Sequence, residues 1–204
     1  MPEDEREGQR EPNDPHGAPS GPGLAVASAV FYVLMSLVGL GLLAAQDLPV
    51  GAVVFGDGQS VLRDTLLGAG AGLVVVLLTW LVRKVGPVKR LSDELRAALG
   101  GTPSSGIIAI IAVTSAVGEE LLFRGALQPL LGFWVTAVVF GFLHGGTRPR
   151  LYLWAVFALV AGLLLGWLAD WTGNLLAPIL CHLTVNFFNL HALGADATPE
   201  EASP

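Results

Sequence analysis

The sequence predicts an all-α protein, a polytopic bundle of about six transmembrane helices with its active site inside the bundle. The 204-residue chain is 52% hydrophobic and only 14% charged, whereas a soluble domain carries about 25% charged residues. Its mean hydropathy of +0.63 agrees with this difference. The composition therefore places the chain among membrane proteins.

Six apolar segments approach the roughly 20 residues that a transmembrane helix needs. They cover residues 24–46, 65–83, 105–125, 131–146, 151–170 and 174–193. The fourth is short and ends at two consecutive glycines, which predicts a tilted or partly buried helix. Between the second and third, apolar residues share one helical face, which predicts a short amphipathic helix on the membrane surface. These residues are Leu91, Leu95, Ala98 and Leu99.

The segments divide the chain into four regions. Residues 1–23 and 194–204 are acidic and rich in proline, glycine or alanine, so we expect disordered tails there. Residues 24–99 would form the N-terminal transmembrane helices and a basic loop with the amphipathic helix. Residues 100–193 contain the polar residues discussed below and are expected to form the catalytic core.

The charges between the segments predict the orientation, because cytoplasmic loops of membrane proteins are rich in Lys and Arg. The second and fourth loops carry Arg83, Lys84, Lys89, Arg90, Arg96, Arg148 and Arg150. The first loop has three acids against one base, and the fifth has a single acid: Asp47, Asp57, Asp64, Arg63 and Asp170. Both termini are therefore expected in the cytoplasm.

Two adjacent carboxylates, Glu119 and Glu120, interrupt the third apolar segment. Ionisable side chains at membrane depth usually face the protein interior and have a function there. Consecutive residues of a helix point about 100° apart, so the two acids cannot share one role. Arg124 lies one turn after Glu120 and can form a buried ion pair with it. Glu119 is then left to face a cavity, where it could act as a general base.

The fourth and sixth segments add two histidines. His144 follows Phe140 by four residues, so the phenylalanine ring would stack beneath the imidazole. His182 precedes Asn186 by four residues, so these two side chains would share one face. Histidines on two segments and an acid pair on a third form the polar set of a hydrolytic site.

Other interpretations of this set remain open. The same glutamates and histidines could hold zinc, although no H-E-x-x-H motif is present. They could also form a purely structural polar core or serve a proton-coupled carrier. Cys181 is more plausibly a small buried apolar residue than a nucleophile. The sequence contains neither a phosphate-binding loop nor a basic aromatic surface for nucleic acid.

At these positions the chain resembles the CAAX protease and bacteriocin-processing family of intramembrane proteases, which includes the type II CAAX prenyl proteases. The family pattern is E-E-x-x-x-R, then F-x-x-x-H, then H-x-x-x-N or H-x-x-x-D, each in its own span. Here the motifs start at Glu119, Phe140 and His182, in that order, and the resemblance covers about residues 100–193.

The resemblance implies a catalytic set formed by Glu119, His144, His182 and Asn186. Glu119, with or without His144, would activate a water, and His182 and Asn186 would stabilise the oxyanion. Glu120, Arg124 and Phe140 would support the site, and no metal or other cofactor would be needed. The implied partners are a lipid bilayer and a membrane-associated peptide or protein substrate. Because the composition is typical of bacteria, the expected location is the bacterial cytoplasmic membrane. A leader peptide or a C-terminal sorting tail is then a better candidate substrate than a prenylated protein.

Overall fold

The computed structural model describes residues 21–99, 103–145 and 151–195. The two predicted tails lie outside these residues, except that helices include residues 21–23 and 194–195 of them. The described residues form helices joined by short turns, with no strand among them. In chain order they are α1 (Gly21–Ala45), α2 (Val50–Phe55), α3 (Val61–Val82), α4 (Gly86–Ala98), α5 (Ser105–Glu120), a π-helical segment (Leu121–Leu127), α6 (Gln128–Leu131), α7 (Phe133–Gly145), α8 (Tyr152–Thr172) and α9 (Leu176–Ala195).

Five of the six predicted spans are confirmed as helices whose length and apolar composition suffice to cross a membrane. They are Gly23–Ala45, Val61–Val82, Ser105–Leu131, Tyr152–Thr172 and Leu176–Leu193. The fourth predicted span is the exception, because its described helix, Phe133–Gly145, has 13 residues. At 1.5 Å per residue this helix is about 20 Å long, shorter than the roughly 30 Å hydrocarbon core.

The third span is longer than predicted, because it continues past residue 125 to Leu131. The extension passes through the π-helical segment directly after Glu120 and then through α6. Glu119 therefore lies near the middle of this span. Most of the span is buried by the other helices, so the acids lie at the centre of the bundle.

Close contacts between helices depend on small residues. α9 packs between α3 and α5, and α7 packs along α8. Gly68 of α3 lies directly against the backbone of Ala177, and a Cβ on Gly72 would lie 2.9 Å from the Cys181 carbonyl oxygen. Such contacts let backbones approach closely, as is typical of helices packed within a membrane.

The predicted amphipathic helix is present as α4, Gly86–Ala98. Lys89 and Asp93 form an ion pair on its exposed side. Near its end, Arg96 Nε donates a hydrogen bond to the carbonyl oxygen of Leu193 at 2.7 Å. α4 is thereby attached to the C-terminal turn of α9.

Candidate active site

Glu119 and Glu120 occupy the last turn of α5, and both are buried, with 5% and 0% of their surface exposed. The predicted ion pair is present, since Arg124 Nη1 lies 2.9 Å from Glu120 Oε1. Arg124 also donates to the Gly162 carbonyl oxygen at 3.3 Å, and its guanidinium lies 4.3 Å from the centroid of the Phe140 ring. Carboxylate, carbonyl and aromatic face together compensate the buried guanidinium.

Glu120 has a second partner that the sequence does not reveal. His182 Nδ1 lies 2.8 Å from Glu120 Oε1, the same oxygen that Arg124 contacts. An ionised carboxylate only accepts hydrogen bonds, so Nδ1 carries the proton and donates it. This contact fixes the orientation of the imidazole and leaves Nε2 as its free nitrogen.

Glu119 has the opposite environment. Its Oε2 atom lies 3.7 Å from His144 Nε2 and 3.9 Å from His182 Nε2. Both distances exceed that of a hydrogen bond, and Oε2 is buried without a hydrogen-bond partner among the described residues. Glu120 Oε2 is also buried without a partner, so the feature that distinguishes Glu119 is the pair of imidazole nitrogens that its Oε2 faces. A buried, unsatisfied oxygen often marks a catalytic group or a water site.

The backbone fixes the ring of His144. His144 Nδ1 lies 2.8 Å from the carbonyl oxygen of Phe140, which can only accept a hydrogen bond, so Nε2 is the nitrogen that faces Glu119. The Phe140 ring lies beside the imidazole, with centroids 4.4 Å apart and planes inclined by 42°. Phe140 therefore contacts His144 through its ring, as predicted, and also through its carbonyl group.

Asn186 lies one turn beyond His182 on α9 and contacts α5. Its Nδ2 atom donates to Ser115 Oγ at 3.0 Å, and Ser115 precedes Glu119 by one turn. The side-chain amide is therefore held beside the acid rather than bonded to it. Ser115 is a site residue that the sequence analysis missed, although its position four residues before Glu119 places it on the same face.

Comparison with known proteins matches this region to one family. Residues 102–188 match the family described as type II CAAX prenyl endopeptidase Rce1-like. This segment is therefore similar to the Rce1-like family. The uncharacterised protein YpbD of Bacillus subtilis (strain 168) is 30% identical over 128 residues, which is 61% of this chain. The chain covers 66% of the length of that relative. No solved structure matches significantly.

All seven residues that the sequence analysis assigned to the site fall inside the Rce1-like segment. The structure brings Glu119, His144 and His182 together, with Asn186 one turn away and Glu120 and Arg124 behind them. Within the described ranges, no three His, Cys, Asp or Glu side chains are grouped in a way that could hold a metal ion. Cys181 packs in an apolar cluster with Leu165 and Leu168, as expected for a buried apolar residue.

Helices outside the Rce1-like segment also hold the site in place. Gln46, at the end of α1, donates to the carbonyl oxygen of Ala126 in the π-helical segment at 3.2 Å. π-helical turns leave carbonyls without their regular helical partners and are frequent at functional sites, so this bond stabilises the irregular turn after the acids.

The prediction that Asp64 belongs to the first loop is wrong. Asp64 lies in the first turn of α3 with 1% of its surface exposed, whereas the sequence suggested a loop acid. Its Oδ2 accepts from Asn174 Nδ2 at 2.7 Å, and Asn174 Oδ1 accepts from the backbone N–H of Leu176. Asp64 thereby attaches α3 to the first turn of α9, the helix that carries His182.

Proposed function

We propose that this protein is an intramembrane endopeptidase that hydrolyses a peptide bond of a membrane-associated substrate through a water activated by Glu119. The observation that carries this proposal is the convergence of Glu119 Oε2, His144 Nε2 and His182 Nε2 within 3.7–3.9 Å inside the bundle. Similarity of residues 102–188 to a family of endopeptidases supports the reaction class.

The geometry suggests how the water would be held. Glu119 Oε2 and the lone pair of His144 Nε2 can each accept one of its protons, because His144 Nδ1 is bonded to the Phe140 carbonyl. Glu119 would take the proton as the water oxygen attacks the scissile carbonyl carbon. When the tetrahedral intermediate collapses, the C–N bond breaks, and Glu119 would return that proton to the leaving amine.

The oxyanion would be stabilised from α9. Asn186 Nδ2 is a neutral donor that can turn from Ser115 towards the substrate. His182 can donate through Nε2 only as an imidazolium, because Nδ1 already donates to Glu120. With Glu119 and Glu120 ionised and Arg124 charged, a protonated His182 would make the buried cluster electrically neutral. Preorganised donors of this kind act mainly on the transition state.

The proposed mechanism uses no metal. Zinc would require its ligands about 2.0–2.2 Å from the ion, and an asparagine amide such as Asn186 is a poor zinc ligand but a good oxyanion donor. A zinc-dependent version of the same protease is the alternative that experiment must separate from this proposal.

We propose a membrane-associated peptide or protein tail as the substrate, either a leader peptide or a C-terminal sorting tail. The buried site requires a substrate that enters the bundle at membrane depth. His144 offers the more accessible side, since 21% of its side chain is exposed, against 7% for Glu119. The proposed location is the bacterial cytoplasmic membrane.

The test is a cleavage assay on the purified protein in lipid nanodiscs. The probes are quenched fluorescent peptides: a hydrophobic C-terminal tail, a leader peptide, and a prenylated CAAX peptide with its unprenylated form. Wild-type protein should cleave at least one probe, whereas Glu119→Gln should not.

His144→Ala should abolish cleavage as well. His191→Ala is its matched control, because His191 makes the same bond to a phenylalanine carbonyl four residues earlier, at 2.9 Å, but on the far part of α9. Full activity of Glu119→Gln, or equal losses in both histidine variants, would refute the proposed site.

A further inference from the structure

A short chain of hydrogen bonds joins α9 to α5 one turn before Glu119. The Asn186 amide donates from Nδ2 to Ser115 Oγ at 3.0 Å, and the Ser115 hydroxyl donates to the carbonyl oxygen of Ala112 at 3.3 Å. Ser115 is buried, with 1% of its surface exposed, and it lies outside the three sequence motifs. The side chain of Asn186 is therefore held by a residue of another helix.

The acceptor at the end of this chain fixes the direction of both bonds. A carbonyl oxygen can only accept, so the single proton of the Ser115 hydroxyl points at Ala112. The lone pairs of Ser115 Oγ are left to face Asn186, and they can accept only from the NH2 end of its amide. Ser115 therefore selects the end of the Asn186 amide that is turned towards α5.

This selection matters because the two ends of an asparagine amide have opposite polarity. Rotation about the last bond of the side chain is broad and roughly twofold, so an amide without a partner would present its oxygen as well as its NH2 group. An oxygen facing the developing oxyanion would repel it, whereas an N–H stabilises it. The NH2 group of Asn186 carries two protons, so one can stay with Ser115 while the group turns to present the other.

We propose that Ser115 is a positioning residue that holds the NH2 group of Asn186 ready to stabilise the oxyanion. The inference rests on the proposed function, in which Asn186 is an oxyanion donor. In this role Ser115 contacts no substrate and acts only through Asn186. A donor held in place beforehand needs no reorganisation at the moment of reaction, so the Ser115 hydroxyl contributes to turnover rather than to substrate binding.

The test uses Ser115→Ala, which removes only the hydroxyl group. Its matched control is Thr114→Val on the same helix, because the Thr114 hydroxyl donates within α5, to the carbonyl oxygen of Ile110 at 2.7 Å. The first measurement needs no substrate: the side-chain amide signals in the magnetic resonance spectrum of protein isotopically labelled at asparagine. The Asn186 signals are those that Asn186→Ala loses. They should shift in Ser115→Ala and remain unchanged in Thr114→Val.

The second measurement is the kinetics on whichever probe peptide the wild-type protein cleaves. Losing one neutral hydrogen bond that orients the donor should lower kcat about 3–10-fold, with KM within about twofold. In the Asn186→Ala background, Ser115→Ala should change kcat by less than about twofold, because a residue that acts only through Asn186 has nothing left to position. Thr114→Val should match the wild type in both constants.

The two measurements separate the possible failures. Unchanged Asn186 signals in Ser115→Ala would overturn the inference, and so would a kcat equal to that of the wild type. An equal loss of kcat with and without the Asn186 side chain would show that Ser115 does not act through it. If the wild-type protein cleaves no probe while the signals shift as expected, the contact stands and the proposed function is what fails. Loss of folded protein in Ser115→Ala, seen as a lower unfolding temperature, would assign Ser115 to stability and overturn the positioning role.

Discussion

Replacing Glu120 with alanine should lower the free energy of unfolding far more than replacing its neighbour Glu119 with alanine. Glu120 is fully buried and accepts from both Arg124 and His182, so its loss leaves a guanidinium and an imidazole N–H without their acceptor. Glu119 has no hydrogen-bond partner for its buried oxygen among the described residues. Its removal leaves the Glu120–Arg124 pair and the Glu120–His182 contact intact.

The size of the effect follows from these contacts. Removing one partner of a buried ion pair costs about 3–5 kcal/mol, and an orphaned buried donor costs about 1–3 kcal/mol more. Folded domains are stable by about 5–15 kcal/mol, so Glu120→Ala should lose a large part of the total. Glu120→Gln keeps an acceptor at the same place and should fall between alanine and the wild type.

The assay is reversible unfolding in mixed detergent micelles, followed by far-ultraviolet circular dichroism. The double variant Glu120→Ala/Arg124→Ala should recover part of the loss, because it removes the stranded guanidinium as well. The reasoning would be refuted if Glu120→Ala were as stable as Glu119→Ala. It would also be refuted if the stability lost in the double variant equalled the sum of the losses in Glu120→Ala and Arg124→Ala.

Four further outcomes are expected. Reporter fusions after Gly58 should read as external and fusions after Arg90 as cytoplasmic; the reverse pattern would contradict the proposed orientation. Chelators should leave peptide cleavage intact, whereas stoichiometric zinc lost together with activity would favour the metal alternative. Asn186→Ala should lower kcat about 10²–10³-fold with little change in KM. Asn189, whose side chain accepts from a threonine of α3, provides the control Asn189→Ala, which should keep the wild-type kcat. Equal losses of kcat in the two variants would argue against Asn186 as an oxyanion donor. Asp64→Ala should destabilise the protein by about 1–3 kcal/mol, and an unchanged unfolding midpoint would show that its contact with α9 contributes nothing.

The sequence was sufficient to predict the fold class, five of the six spans, the amphipathic helix and the ion pair of Glu120 with Arg124. That pair is local, because residues four apart on a helix are neighbours. The contact of His182 with Glu120 joins residues 62 positions apart, and a motif gives no distance between its parts. The sequence predicted that both residues were important, without showing that they touch.

The features that the sequence analysis missed depend on long-range contacts or on backbone geometry, which the hydrophobic pattern does not encode. Asp64 follows Arg63 at the edge of an apolar segment, so it resembled a solvated loop acid, and its partner Asn174 lies 110 residues away. The π-helical segment has the same apolar composition as an ordinary helix, so the hydrophobic pattern could not reveal it.

The distribution of partners, rather than position in the motif, separates the roles of the two acids. Glu120 Oε1 already accepts from a guanidinium and an imidazole, and Glu120 Oε2, although it has no hydrogen-bond partner among the described residues, is not paired with an imidazole either. Glu119 Oε2 faces two imidazole nitrogens at distances beyond a direct bond, so its lone pairs remain free for a water. Because a protonated His182 would balance the second negative charge of the acid pair, Glu119 could stay buried at the same depth without forming a tight ion pair of its own. In the proposed mechanism, an adjacent acid pair on one helix would thereby supply both an anchor for α9 and a base directed at the substrate.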